Sequence, residues 1–375
     1  MDGPSLHGVD RDTTRGKQLR KFRRTSLIAG SATAVLAVSL TAGGSAVAAQ
    51  RVSHLAAASS QFTVGFANEA TTAPFQINVQ NSMVAGAKQA GVKLIALNNN
   101  YDDATALRNA QILANDKVNV AVEFQVDSKI APEIAQIFKK AGIKWTISID
   151  IPQPGAIFFG ASNYADGQLA GEHAAAYAKA HGWKASQTTE VLLNLPAAGP
   201  IPQLRMNGAR DALAAGFPGI PKSQIIQQSA GAGTTSAAQQ VMADLLPRIP
   251  SSNHIVLFAI NDESAQGGLR AIQVAGRESS TIVSSQGADA VGLSEIKSDP
   301  HWIGDTGYFP EFYGKYIFQL IKDLRAGKHV TPYVFMPRVY INAQNVNQYY
   351  PGKATVAVKT PPGGIQFSTT PKHAA

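Results

Sequence analysis

The chain has 375 residues, 45% of them apolar and 15% charged, and contains no cysteine. That length is more than one compact core usually serves, so two lobes are expected, and the apolar share is that of a globular chain. Without cysteine there can be no disulfide, thiol catalysis, thiolate metal site or lipid-anchored lipoprotein terminus. The formal charge of +8 is uneven: residues 1–48 hold seven of the 33 basic and three of the 25 acidic residues, a net of +4. The far longer remainder carries the other +4, too nearly balanced to give a nucleic-acid footprint.

The first segment reads as an address. Arg15, Lys17, Arg20, Lys21, Arg23 and Arg24 form a basic region, Leu27 to Leu40 is uncharged and moderately apolar, and Ala46-Val47-Ala48 is an Ala-x-Ala cleavage pattern. Residues 1–48 are therefore predicted to be a secretory signal peptide. The rival, a retained membrane anchor, needs a longer and more apolar run. Arg23-Arg24 is similar to a twin-arginine signal, but Thr25-Ser26-Leu27-Ile28 fits only in part, so Sec and twin-arginine export both stay open. Residues 49–61 read as a flexible leader. The protein is expected outside the cytoplasm, in the periplasm or at the cell exterior.

Strands and helices then alternate. Phe62 to Ala67 is a strand, followed by a long corner from Asn68 to Gln76 and a helix closed by Gly91. Val92 to Leu97 is a strand, 98–103 a polar turn, and Ala104 to Ala114 a helix. Val118 to Phe124 is the third strand, with a corner from Gln125 to Ser128, and Pro132 to Ala141 is a helix. Lys144 to Ile149 is the fourth strand with Asp150 at its end, and Ile157 to Gly160 is a short strand. The pattern restarts with a helix at 167–181, a strand at 190–195 and a helix at 204–215. A strand at 225–228 and a helix at 235–246 come next. Ile255 to Ile260 is a continuous apolar run, as a strand buried on both faces of a parallel sheet requires. Asn261-Asp262-Glu263 follows it, and then Ala265, Leu269, Ile272 and Ala275 at helical spacing, with Gly276 as the stop. A strand at 280–284, a helix at 311–326 and a strand at 338–342 complete the count. Such alternation implies parallel sheets with helices on both faces, in two similar lobes. Pro361 to Ala375 reads as a loose tail.

Catalytic patterns are missing. There is no H-E-x-x-H, no nucleophile elbow in the mature chain and no phosphate loop, and the histidines lie far apart. Neither metal nor cofactor is expected, and no enzyme. The strand ends do hold hydrogen-bonding groups and rings: Asn68, Glu69, Phe75, Gln125, Asp150, Asn163, Arg205, Asn261, Asp262, Gln286 and Tyr308. Ligands bind outside the carboxyl ends of strands in open parallel sheets. A polyhydroxylated ligand needs this mix, because each hydroxyl both donates and accepts. Taken alone, Asn261 and Asp262 read first as helix caps and Glu263 as a favourable charge at the helix start.

From Phe62 to Ala343 the chain resembles the periplasmic sugar-binding proteins of the ribose-binding type, the solute receptors of ABC importers. The resemblance rests on Asn261-Asp262-Glu263 with Gly268-Leu269-Arg270-Ala271-Ile272 and on Ala73-Pro74-Phe75. Further support comes from Ile147-Ser148-Ile149-Asp150, from Asn163 with Gly167-Gln168-Leu169-Ala170-Gly171, and from Arg205 with Gly208. It implies the type I periplasmic binding protein fold: α/β, two Rossmann-like lobes of parallel sheet flanked by helices, joined by a three-crossover hinge. The lobes would comprise residues 62–161 plus 309–333 and 162–308 plus 334–348, with 349–375 loose. It also implies a monomer that binds a sugar or polyol between the lobes and delivers it to a membrane permease. Phe75 would stack on the sugar, while Asp150 and Asn261 would hold hydroxyls. Gln286 and Tyr308 stand where relatives carry Asp and Gln, and Arg205 or Gln203 stands near the ligand arginine. Ile151, Gln76 and either Phe124 or Gln125 depart from the pentose receptors, so the pocket is expected to be altered. Glu69 and Glu123 would suit an amino sugar, or be solvated or paired. A receptor for a membrane kinase would use the same fold. A lactose-repressor-type effector module or a secreted enzyme fits less well.

Overall fold

The computed structural model describes residues 61–125, 127–352 and 359–371. The expected signal peptide, nearly all of the leader and residue 126 of the third corner lie outside them.

The first lobe begins with β1 (Thr63–Asn68), α1 (Pro74–Ala90), β2 (Lys93–Asn98) and α2 (Asp103–Asn115). It continues with β3 (Val120–Glu123), α3 (Ala131–Lys140), β4 (Trp145–Ile149) and β5 (Ile157–Gly160). The second comprises α4 (Asn163–Ala180), β6 (Thr188–Asn194), α5 (Pro200–Gly216), β7 (Ile225–Ser229) and α6 (Thr235–Leu245). β8 (His254–Ala259), α7 (Asp262–Val274), β9 (Thr281–Gly287), α8 (Ala290–Ser298) and β10 (Trp302–Gly307) follow. The chain then returns through α9 (Tyr313–Arg325) and β11 (Tyr333–Phe335), and crosses again to β12 (Val339–Ile341) and α10 (Val346–Tyr349). β13 (Gln366–Ser368) is last.

The first sheet runs β13-β11-β5-β4-β3-β1-β2 and the second β12-β10-β9-β8-β6-β7. All neighbours are parallel except β13 on β11 and β12 on β10, so the antiparallel pairs sit at the edges. Central strands are buried on both faces, which is why they read as unbroken apolar runs: Val64 and Phe66 in β1, and Ile255 to Ala259 in β8, are fully enclosed. Helix ends follow local chemistry. Gly91 adopts the left-handed conformation after α1, and Asp102, Thr234, Asn261 and Asp289 each cap the following helix through a side-chain oxygen. The three crossovers are Gly160 to Asn163, Gly307 to Tyr313 and Phe335 to Val339.

Several elements were not expected from the sequence: α8, β10, β11, α10 and β13. β10 reads WIGDTG, and its register against β9 shifts between Trp302 and Gly304, so it offers neither an apolar run nor alternation. The segment 349–375, expected to be loose, is fixed at two places. Lys297 Nζ donates to the carbonyls of Tyr350 (3.1 Å) and Gly352 (2.7 Å), and β13 extends the first sheet. All of β11 belongs to that sheet too, so its second and third residues, Val334 and Phe335, move the lobe boundary onward from the expected 333.

Candidate functional site

In each sheet the strand order reverses beside its first strand, at β2-β1-β3 and at β7-β6-β8. Helices leaving on opposite faces there open a crevice beyond the carboxyl ends of the strands. The two crevices face one another across a cleft. Ser128, in the corner after β3, donates both its backbone N–H (3.0 Å) and its hydroxyl (3.1 Å) to the carbonyl of Ala197, in the corner after β6.

On the first-lobe side, Asn68 ends β1, and its amide donates to the carbonyls of Ala70 (2.6 Å) and Gln76 (3.0 Å). That pins the long corner and sets Phe75 at the start of α1. The Phe75 ring meets Phe124, Tyr308 and Tyr313 edge to face, with centroids 6.4, 6.5 and 5.8 Å away. Glu69 is buried and accepts a hydrogen bond from the Gln76 amide. Burial pushes its carboxyl up to about 7, against the pull of that bond. Gln125 is 2% exposed, and neither atom of its amide has a hydrogen-bond partner. Asp150 accepts from Ala161 N (3.0 Å) and from the Tyr313 hydroxyl (3.3 Å). Burial raises its carboxyl, while nearby Arg205 holds it back.

On the second-lobe side, Arg205 projects from α5, donating from Nε to Asn163 Oδ1 (2.6 Å) and from Nη1 to the Ile260 carbonyl (2.8 Å). Its guanidinium lies 4.9 Å from the Tyr308 ring centroid, a cation–π contact. The Tyr308 hydroxyl donates to Gln286 Oε1 (2.5 Å), leaving the buried Gln286 Nε2 without a partner. Phe75, Asp150, Arg205, Gln286 and Tyr308 thus form one connected cluster drawn from both lobes. Asn261 is spent differently: its oxygen accepts from Ser264 N (3.1 Å) as the cap of α7, and its amide donates to the Gly233 carbonyl (2.9 Å). Asn68 and Asn261 therefore shape the corners in which the others sit.

Tyr313, inside the helix expected at 311–326, has no local signal that would mark it as a cleft residue. Sequence reasoning missed Asn194 and Gln203 as a pair: Asn194 donates to Gln203 Oε1 (2.8 Å), and Asn194 Oδ1 and Gln203 Nε2 remain unpartnered. It also missed Tyr101, although the run Asn98-Asn99-Asn100 carried a signal. Asparagine tolerates the left-handed region better than most residues, and Asn100 and Tyr101 both adopt it, at φ 55 and 54.

Acidic groups of the second lobe are paired rather than ligating. A Cβ added to Gly292 would lie 2.2 Å from Asp305 Oδ2 and 2.6 Å from Asp262 Oδ2, so these two carboxyls converge on one point. Burial first and their mutual charge next push Asp262 well up, and burial takes Asp305 to about 8. Among the described residues no group of three or more His, Asp or Glu is arranged to hold a metal ion. No helix among them is long and apolar enough to cross a membrane.

A family model described as periplasmic binding protein domain matches residues 64–329. No curated protein matches the sequence. Similar solved structures include an ABC transporter solute binding protein from Mycobacterium smegmatis with bound glycerol, 21% identical over 80% of this chain and 100% of that one, TM-score 0.67. A periplasmic solute binding protein from Actinobacillus succinogenes with bound D-allose is 19% identical over 76% and 99%, TM-score 0.64. The Caulobacter myo-inositol binding protein bound to myo-inositol is 22% identical over 77% and 96%, TM-score 0.64. At these identities the likeness speaks for the fold.

Proposed function

The chain belongs to the periplasmic binding protein domain family, and from that premise we propose that it is an extracytoplasmic receptor. It captures a sugar or sugar-like polyol between its lobes and delivers it to the membrane permease of an ABC importer. It acts as a monomer, exported by the signal peptide of residues 1–48. The family is one of binding proteins, and similar solved structures carry glycerol, D-allose or myo-inositol.

One observation carries the reading: at strand ends of both lobes buried amide atoms lack partners, both atoms of Gln125 after β3 and Nε2 of Gln286 in β9. A buried polar group normally has a partner, and leaving one unpaired costs about 1–3 kcal/mol. A polyol satisfies such groups from both lobes at once, since each hydroxyl donates and accepts. In this reading Phe75 and Tyr308 pack against the C–H faces of the ring. Asp150 and Arg205 hold hydroxyls, and Gln286, Gln125 and Glu69 contact the rest. Asn68 and Asn261 keep the two corners in shape and present backbone groups. Closure by hinge motion at the crossovers then completes the site.

Titration calorimetry with a panel of pentoses, hexoses and cyclitols tests it. Saturable heat from at least one is expected, and silence from all of them would refute it. Amino-terminal sequencing of exported protein is expected to begin at Ala49.

A further inference from the structure

The corner at the switch point of the first sheet differs chemically from the rest of the cleft. A small cavity there is bordered by Glu69, Asn99, Tyr101, Asp102, Asp103 and Gln125, otherwise by apolar side chains, and by no lysine, arginine or histidine. Asp102 is already committed, since its Oδ1 accepts from the backbone N–H (2.7 Å) and hydroxyl (2.6 Å) of Thr105 as the cap of α2. Glu69 offers its second carboxylate oxygen, for the first is taken by Gln76. Gln125 offers its whole amide. Tyr101 is fixed across from them by unusual backbone. Two consecutive residues in the left-handed region are locked by Asn100 N to Asn98 Oδ1 (2.9 Å) and Tyr101 N to the Glu69 carbonyl (3.0 Å). Such conformations persist where the surroundings over-determine them.

The charge around this corner is mainly acidic, with Lys129 acting on Asp103 and Arg205 on Glu69 as the opposing charges. From the second lobe Glu263 lies within electrostatic reach of both Glu69 and Tyr101, and Asp289 of Tyr101. Behind Asn99 a further buried carboxylate, Glu123, accepts from the Asn99 amide (2.9 Å) and has one oxygen without a partner. The nearest buried cation, Arg205, already serves Asn163 and the Ile260 carbonyl. A hydroxyl brought here supplies no charge that would favour the ionised form of these carboxyls. An ammonium group supplies both the charge and three donors, matched by one carboxylate oxygen, one amide carbonyl and one phenol oxygen.

We propose that this corner is a subsite for an ammonium group, so that the ligand of the cleft is an aminated polyol of the aminosugar or aminocyclitol class, its nitrogen received by Glu69, Gln125 and Tyr101. The inference rests on the polyol reading above. Burial is the chief cause that pushes Glu69 to about 7 and Glu263 to about 8, with Arg205 pulling Glu69 the other way.

Calorimetry at pH 7 with matched pairs is the test: D-glucosamine against D-glucose, D-galactosamine against D-galactose, and scyllo-inosamine against scyllo-inositol, with N-acetyl-D-glucosamine as the uncharged control. In at least one pair the amine is expected to bind about tenfold tighter or more than its hydroxyl parent, and acetylation to abolish the gain. In Glu69→Gln, shown to be folded by its melting curve, the ratio is expected to fall to within about twofold of one. Parents that bind as tightly as their amines, or better, overturn this proposal while leaving the polyol reading intact. A preference that survives Glu69→Gln overturns the assignment to this corner. Silence from both series overturns the polyol reading and this proposal with it.

Discussion

Asp150 shows how much the backbone decides about a single residue. It lies in the left-handed region at φ 56, directly after β4, and is fixed by Ala161 N and the Tyr313 hydroxyl. Asparagine tolerates that conformation and keeps the shape, so Asp150→Asn is expected to fold normally. Charge-assisted hydrogen bonds are worth about 1.5–3 kcal/mol, so its affinity for the best-binding sugar should fall by roughly 10- to 150-fold. Calorimetry of wild type and variant reads this, and an unchanged Kd would remove Asp150 from the contact set. The position itself was legible, because an acid immediately after an apolar strand needs a reason to be there. The partner was not: Tyr313 lies 163 residues away, and no local pattern joins the two.

At the scale of elements, α4 and α5 pack closely through glycine. A Cβ on Gly208 would lie 2.0 Å from the Tyr164 carbonyl oxygen, and one on Gly167 would lie 1.9 Å from that of Arg205. The second contact matters for function, because Arg205 reaches the cleft from that face of α5. Overpacking typically costs about 1–3 kcal/mol, so Gly208→Ala is expected to lower the melting temperature by several degrees. It should also weaken binding, by shifting α5 and the arginine with it. Thermal melting and calorimetry on one preparation test both. The small residues at 167, 171 and 208 were visible in sequence. What they were small for was not, since two helices must be docked before a missing side chain acquires a neighbour. The unexpected elements failed for a related reason. β11 and β13 have three residues each, and β11 holds its place by pairing with β5, far away in the chain.

Two features belong to the whole molecule. The first is the contact between lobes at Ser128 and Ala197. Gly199 lies beside it at φ 88, where side chains are disfavoured, and a Cβ there would come within 2.8 Å of Ser128 Oγ. Gly199→Ala is expected to hold the lobes apart, weakening ligand binding about tenfold or more through incomplete closure. Small-angle scattering with saturating ligand should then show a larger radius of gyration than wild type. The second is proton storage. Glu69, Asp166, Glu190 and Glu311 are raised to about 7, and Glu263 and Asp305 to about 8, in each case chiefly by burial. The folded chain keeps these protons where the unfolded chain has released them. Their contribution to stability is complete below the ordinary carboxyl range, near pH 4, and is lost as pH rises through about 7 to 8. The melting temperature is therefore expected to fall from pH 5 to pH 8.5, and Asp305→Asn to flatten that slope. Asp166 links this chemistry to the hinge. It accepts from Thr306 Oγ1 (2.9 Å) through its carbonyl, and Arg338 Nε stands 3.5 Å from its carboxylate, so residues beside all three crossovers meet on it.

The sequence by itself determined the two α/β lobes, because buried parallel strands must be apolar throughout and helices must show their period. It also determined which corners carry polar groups, because polar residues interrupt those runs only where the strands end. Only the tertiary structure decided how those residues are used. It turned Asn261 inward as a cap, linked Phe75, Tyr308 and Arg205 across the lobes, and left the Gln125 amide unpaired beside Glu69. The physical reason is that pairing and isolation depend on distances between segments that are not neighbours in sequence. Local pattern fixes which face a side chain takes; the packing of distant elements fixes what it meets there.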